Sequence, residues 1–514
     1  MKNAKRILSL VLLLTVLLVN TALAEMDTHY NITLTSRSIT SGTDYTADEM
    51  YKFITEKFNI DVEAWAVENS AINEKGRIFV NSGTMPDMML VHILDYPTYC
   101  EWADQGLIAA LPENWKEEYP NLARRMEKSL VEEYMTIDGR TYMLPNTTLC
   151  NFINYEDRGV NHHCIYYRKD WAEKLGFKFG DTITFSELAA FNKAAVEADL
   201  AGNGATVGLT GSVSNIQSNI LYFSGIDWDG FTVVDGQYVW SPTQKSVTDI
   251  IRMLREWYQE GILNPDYYLF TSSNDGNAAF HAGLAASCYM TGTSGSMTNM
   301  INNFAAANPG VDGADYVGIG LLANDEGVVY SAELTNYWQC TLFNPELEKN
   351  PEKFERILSL MDWLSDPYEG YLTVNLGMKG KDWDVDSEGN VKVYLDANTK
   401  AEKLYPSTNL FKYHTVCTDD AGLFTSYVPQ MCTDKANLHY KLKRAGFVIP
   451  FDYGFEYLRD ESKNNYSVDV ASQVTSLIVD STLDIDTEWA KFIEANRGIW
   501  QPVVDALNAE LLMK

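Results

Sequence analysis

Twelve tryptophans and thirty tyrosines stand beside 70 acidic residues in a chain of 514. Aromatic faces stack on the apolar side of a pyranose ring, while carboxylates, amides and arginine make paired hydrogen bonds to vicinal hydroxyls. The composition is thus compatible with sugar binding but does not require it, because most tryptophans serve as core. Paired carboxylates could also hydrolyse a glycosidic bond, and among 70 acids some pair can always be nominated. No GxSxG elbow, HExxH pair or phosphate-cradling glycine loop occurs. His162-His163-Cys164 gathers three ligand types but lacks a second ligand group at metal spacing, and reads as structural. The turn Asp384-Val-Asp386-Ser-Glu388-Gly389 begins like a calcium loop, yet Leu395 stands at its twelfth position, so a hairpin turn is expected there. No metal or other cofactor is expected.

Lys2, Lys5 and Arg6 precede an apolar run from Ile7 to Val19 and then Ala22-Leu23-Ala24, the pattern of a secretory signal peptide over residues 1–24. The run is shorter than the ~20 residues a membrane span needs. Glu25 follows the expected cut and no cysteine lies near it, so a freely soluble periplasmic or extracellular protein without a lipid anchor is expected. Losing the three basic residues lowers Lys+Arg from 40 to 37 against 70 Asp+Glu, a net charge of -33. Nucleic acid and anionic membrane surfaces are poor partners for such a polyanion. An acidic surface also keeps a secreted protein in solution.

The seven cysteines (Cys100, Cys150, Cys164, Cys288, Cys340, Cys417, Cys432) are odd in number and lack CxxC spacing, so they spell no disulfide framework, while export permits a bridge, with Cys417 and Cys432 the nearest pair. About 490 residues exceed what one core supports, so two lobes are expected. Asn31–Ser36 alternates like a strand, and Met50, Phe53, Ile54 and Phe58 repeat at helical spacing. Strands are expected at 61–67 and 88–91, the second followed by a helix to Leu107. This β-α-β-α-β order implies a parallel sheet with helices on both faces. Thr184 and Glu187 form a capping box, and Ser241-Pro242 and Asn350-Pro351 read as helix starts.

Six stretches, in order, resemble the extracellular solute-binding proteins of bacterial ABC importers. They are Ser82-Gly83-Thr84-Met85-Pro86-Asp87, Trp102-Ala103-Asp104-Gln105-Gly106-Leu107-Ile108, Tyr167-Arg168-Lys169-Asp170-Trp171 leading to Leu175-Gly176, Trp257 to Asp266, Ala279-Phe280-His281-Ala282-Gly283, and Asp484 to Trp489. The branch resembled is the carbohydrate-binding one, which includes maltose- and alginate-oligosaccharide-binding proteins. The resemblance implies an α/β clamshell of two doubly wound lobes with a multi-segment hinge, lobe 1 being 25–160 and 327–400 and lobe 2 being 161–326 and 401–514. It further implies a carbohydrate, expected to be an oligosaccharide, bound between the lobes, a membrane permease as partner, no catalysis and a monomer. One cleft wall would carry Ser36, Arg37, Thr84, His92, Asp95 and Tyr96. The other would carry Tyr222, Phe223, Trp228, Thr291 and Thr293, with Tyr337 and Trp338 past the second crossing and Trp383 beyond them; Trp171, Trp257 and Trp489 are read as structural. The loop from Asp199 stands where many relatives hold calcium, but Ala201 and Val207 occupy its third and ninth positions, so calcium is expected to be lost. A secreted hydrolase and a sensor subunit of the same fold are the alternatives.

Overall fold

Strand direction in this molecule follows from where the chain enters each sheet. The computed structural model describes residues 28–513 apart from 38, 93, 148–158, 388–390, 396–400 and 416–427. The expected signal segment, Cys150 and Cys417 lie outside the described residues. The first half-domain supplies β1 (Tyr30–Ser36), α1 (Glu49–Phe58), β2 (Ile60–Ala66), α2 (Ile72–Ser82), β3 (Met88–His92), α3 (Tyr96–Asp104) and β4 (Met143–Thr147). The next stretch supplies β5 (His163–Arg168), β6 (Thr182–Thr184), α4 (Phe185–Glu197), β7 (Val207–Thr210), α5 (Lys245–Gln259), β8 (Ala285–Thr291), α6 (Ser294–Ala307) and β9 (Val317–Ala323). Then follow β10 (Tyr330–Ala332), β11 (Tyr337–Phe343), α7 (Pro351–Leu364), α8 (Gln430–Ala445) and β12 (Phe447–Ile449).

Local chemistry explains the punctuation. Asp48 caps α1 by accepting from Tyr51 N, and Asn59 ends it in the left-handed conformation. Thr184 and Glu187 make the expected reciprocal capping box on α4. The start expected at Ser241-Pro242 is instead a short 3-10 turn, and α5 begins at Lys245. The turn at Asp384 joins an antiparallel pair, Trp383–Val385 with Val391–Val393.

One five-stranded sheet has the order β2-β1-β3-β11-β4, the other β6-β9-β5-β8-β7. The expected parallel β1, β2 and β3 are present. Each sheet also holds one strand running against its neighbours, β11 in the first and β5 in the second. Both of these enter directly from the crossing between lobes, so they start at the edge where the other strands end. Alternate residues of β5 feed cores on both faces, Ile165 into one and Cys164 and Tyr166 into the other.

The crossings are tied by backbone. Asn161 N donates to Ala332 O (2.9 Å), Leu334 N to Gly159 O (2.7 Å) and Glu333 N to Ile449 O (2.9 Å), while β10 pairs in parallel with β12. The expected return to the second lobe at 400 comes too early. Ala401, Tyr405, Leu410 and Phe411 are buried in the first core, whereas Cys432 and Ala436 of α8 join the second lobe. Trp171, Trp257 and Trp489 are buried, as expected of structural residues. No described helix is long and apolar enough to cross a membrane.

Gly208 lies in β7, where an added Cβ would stand 2.1 Å from Ile262 O. Gly208→Ala should cost about 1–3 kcal/mol through overpacking. A lower urea midpoint at unchanged m is the expected readout; an unchanged midpoint contradicts the tight approach.

Candidate functional site

The carboxyl ends of β1 and β3 and the first residues of β11 share one edge of the first sheet. Arg37 lies over the Trp338 ring at 4.5 Å and over Tyr413 at 4.7 Å, and the His92 ring is 5.7 Å from Trp338. Burial, aided by Arg37's charge, holds His92 below its ordinary value. Ser36 is buried beneath this edge with its hydroxyl unpartnered, as is the whole amide of Gln339.

Beside it stands a group of tyrosines. Tyr134 stacks on Tyr457 with ring centres 3.7 Å apart and planes 6° from parallel; Tyr453 stacks on Tyr134 at 5.4 Å; Tyr96 meets Tyr457 edge-on at 5.1 Å. Tyr453 and Tyr457 come from a strap that follows β12. One helical turn spaces them on one face, toward the first core, while Phe455 and Leu458 turn to the second. The strap also joins the lobes by Arg459 to Asp104 (3.1 Å), an exposed pair that adds little stability. Tyr96 is among the residues expected at the cleft; Tyr134, Tyr453 and Tyr457, which the structure places against it, were not, and only the i, i+4 spacing of the last two marks them in the sequence.

The second lobe gathers several carboxyls. Tyr222 lies near Asp227 and Asp229, and Asp227 lies near Asp452, whose carboxylate accepts from Tyr238 OH (2.9 Å), while Tyr466 OH donates to Asp229 O (3.0 Å). Burial raises Asp227, and the neighbouring Asp229 and Asp452 raise it further. Burial also raises Asp229, whose side chain reaches solvent. Burial likewise raises Asp452 and Glu456 and lowers Lys463. Groups enclosed on most sides yet wetted at the tip are what a cleft produces. Carboxyls raised in this way can both donate to and accept from hydroxyls.

Several expected residues fall elsewhere. Trp228 is 2 % exposed and belongs to the second core, and Phe223 packs against Phe185 (4.6 Å) and Tyr330 (5.1 Å). Tyr337 is 3 % exposed, within the first core. Thr84 precedes β3 and so lies at the opposite end of the sheet, its hydroxyl 2.7 Å from that of Ser82. Asp95 caps α3 through Thr98 N (3.0 Å) and pairs with Arg77, a positioning task. Thr291 offers its carbonyl to Tyr166 OH (2.7 Å), and Thr293 caps α6 at the crossing. At the Asp199 loop the carboxylate accepts from Gly204 N (2.7 Å) and the Thr206 hydroxyl (2.9 Å).

Residues 43–332 match the family described as "Bacterial extracellular solute-binding protein". The chain belongs to this family. A solute-binding relative by that fold, alginate-binding protein AlgQ2 solved without calcium ion, superposes with a TM-score of 0.69 at 17 % identity, covering 95 % of this chain and 98 % of its own. FusA of S. pneumoniae, an ABC-transporter substrate-binding protein solved with kestose, gives 0.68 at 16 % identity over 94 % of this chain and 99 % of its own. A human-milk-oligosaccharide (HMO)-binding solute-binding protein from Bifidobacterium longum infantis gives 0.66 at 16 % identity, covering 94 % and 99 %. In sequence, lipoprotein LipO of Bacillus subtilis is 23 % identical over 358 residues, 66 % of this chain and 64 % of LipO. The fold shown is thus the two-lobed one of solute-binding proteins.

A carboxyl that ionises less readily in the folded than in the unfolded chain withdraws stability as pH rises above ~4 toward its folded value. Asp227→Asn should therefore raise the melting temperature more at pH 8 than at pH 5. An equal change at both pH values contradicts the assignment.

Proposed function

We propose that this solute-binding protein captures a carbohydrate, an oligosaccharide by preference, between its lobes and delivers it to the membrane permease of an ABC importer without turning it over. What supports this reading is the group of partly exposed tyrosines Tyr96, Tyr134 and Tyr453, backed by the buried Tyr457, on a strap whose Asp452 lies near Asp227. Stacked rings suit the apolar face of a sugar, and carboxylates suit its hydroxyls. The printed ligands of the similar structures, alginate, kestose and human milk oligosaccharides, support the same class. The strap that touches both lobes supports a closing motion of the hinge type, which a permease could read.

We further propose export through the leader at 1–24 and a life outside the cytoplasmic membrane as a monomer. The name of LipO makes lipid attachment a question to test on the exported protein by mass.

A panel of neutral oligosaccharides should contain one that raises the melting temperature and changes tryptophan fluorescence. Tyr96→Ala and Tyr453→Ala should each weaken its binding by about tenfold, some 1–1.5 kcal/mol, in calorimetry. Normal binding by both variants contradicts the site, and cleavage of the sugar contradicts the function.

A further inference from the structure

Arg37 stands where the first sheet changes direction. The order β2-β1-β3 puts β2 on one side of β1 and β3 on the other, so the crevice between the carboxyl ends of β1 and β3 is the switch point at which open α/β sheets bind ligands. Arg37 follows β1 directly and His92 ends β3, which places these two residues on either side of that crevice. The Arg37 side chain is partly exposed there.

Its guanidinium is held in place but not paired. Trp338 lies 4.5 Å and Tyr413 4.7 Å from it, ring contacts that engage the charge and leave the N–H groups without an acceptor. Among the described residues it is the one arginine whose guanidinium meets neither a carboxylate nor a carbonyl oxygen. The others pair with acids, as Arg77 does with Asp95 and Arg444 with Glu333 (2.9 Å), or donate to backbone oxygens, as Arg356 does to Phe58 O (2.6 Å). With 70 acidic against 40 basic residues in the chain, an acid partner is easily found, yet no described residue supplies one here. Lys412, over the Tyr413 ring at 5.8 Å, is paired with Glu402 (3.0 Å). His92, the titratable neighbour, is held below its ordinary value by burial and by the charge of Arg37. Beneath them the Ser36 hydroxyl and both ends of the Gln339 amide are buried without partners, so this edge carries polar groups that the fold itself leaves unsatisfied.

We propose that Arg37 is the specificity-determining residue of the cleft and takes an anionic group, a carboxylate or a sulfate ester, carried by the bound sugar, so that the ligand is an acidic oligosaccharide. This rests on the sugar-binding reading given above and narrows its substrate class. The planar fork of a guanidinium matches two oxygens of such a group, and charge-assisted pairs of this kind are roughly twice as strong as neutral ones. Lysine would supply the charge without the fork, and the two rings hold the plane of the fork at the crevice. On the second lobe Asp227 and Asp229 are both raised by burial, which weakens their repulsion of an anion.

Three sets of oligosaccharides are titrated into the full chain by calorimetry: neutral parents, the same sugars oxidised at a primary alcohol to a uronic acid, and the same sugars sulfated there. At low ionic strength at least one acidic derivative should bind about tenfold more tightly than its parent, and the gain should shrink as salt is raised. Whichever derivative gains distinguishes the carboxylate from the sulfate. Arg37→Met puts an apolar side chain of similar length between the same rings and should bring the ratio of the two affinities near one, with circular dichroism as the check on folding. The salt dependence of the unsubstituted chain decides the matter if that variant does not fold. A neutral parent that binds as tightly as both derivatives, a gain indifferent to salt, or a gain that survives in folded Arg37→Met overturns the proposal and leaves the sugar reading standing. Binding by none of the three sets overturns the sugar reading and this proposal with it.

Discussion

Backbone hydrogen bonds at the crossing between the lobes are the constraint on which the rest depends. Gly159, Asn161, Ala332, Glu333, Leu334 and Ile449 tie three separate stretches of chain into one joint. Because β5 and β11 leave that joint at once, they begin at the edge where the other strands end. The two sheets thereby turn their loop-bearing edges toward the same joint, and loops at such edges are where open α/β sheets bind ligands.

Division of labour between the lobes follows. The first sheet's edge is aromatic and carries Arg37 and Trp338, while the second lobe contributes the enclosed carboxyls Asp227 and Asp229. The strap after β12 links them, with Tyr457 in the first core and Leu458 in the second. The strap is thereby anchored in both lobes.

Local signals in the sequence were read well where one residue decides the outcome. The capping box at Thr184 and the helices from Glu49 and Pro351 depend on neighbours within four residues. Long-range placement was harder. Trp228 follows a turn as a ligand-binding aromatic would, but only its second-core neighbours show that it faces inward. The segment 401–411 folds as two helices of four residues each, too short for a periodicity that would assign it to the first core. Thr84 stands in a turn that precedes β3, and so at the opposite end of that strand from His92. Tyr134 had no local mark, because its role arises from a strap more than 300 positions later in the chain.

The account stands or falls on ligand occupying the space between the tyrosine edge and the acidic wall. Hydrogen exchange of the full chain, with and without a bound oligosaccharide, tests this directly. Protection should appear together at the segments around Tyr96 and Tyr134, at the turn holding Asp227 and Asp229, and along the strap from Phe451 to Tyr466. Protection confined to one lobe, or placed outside these segments, would contradict it.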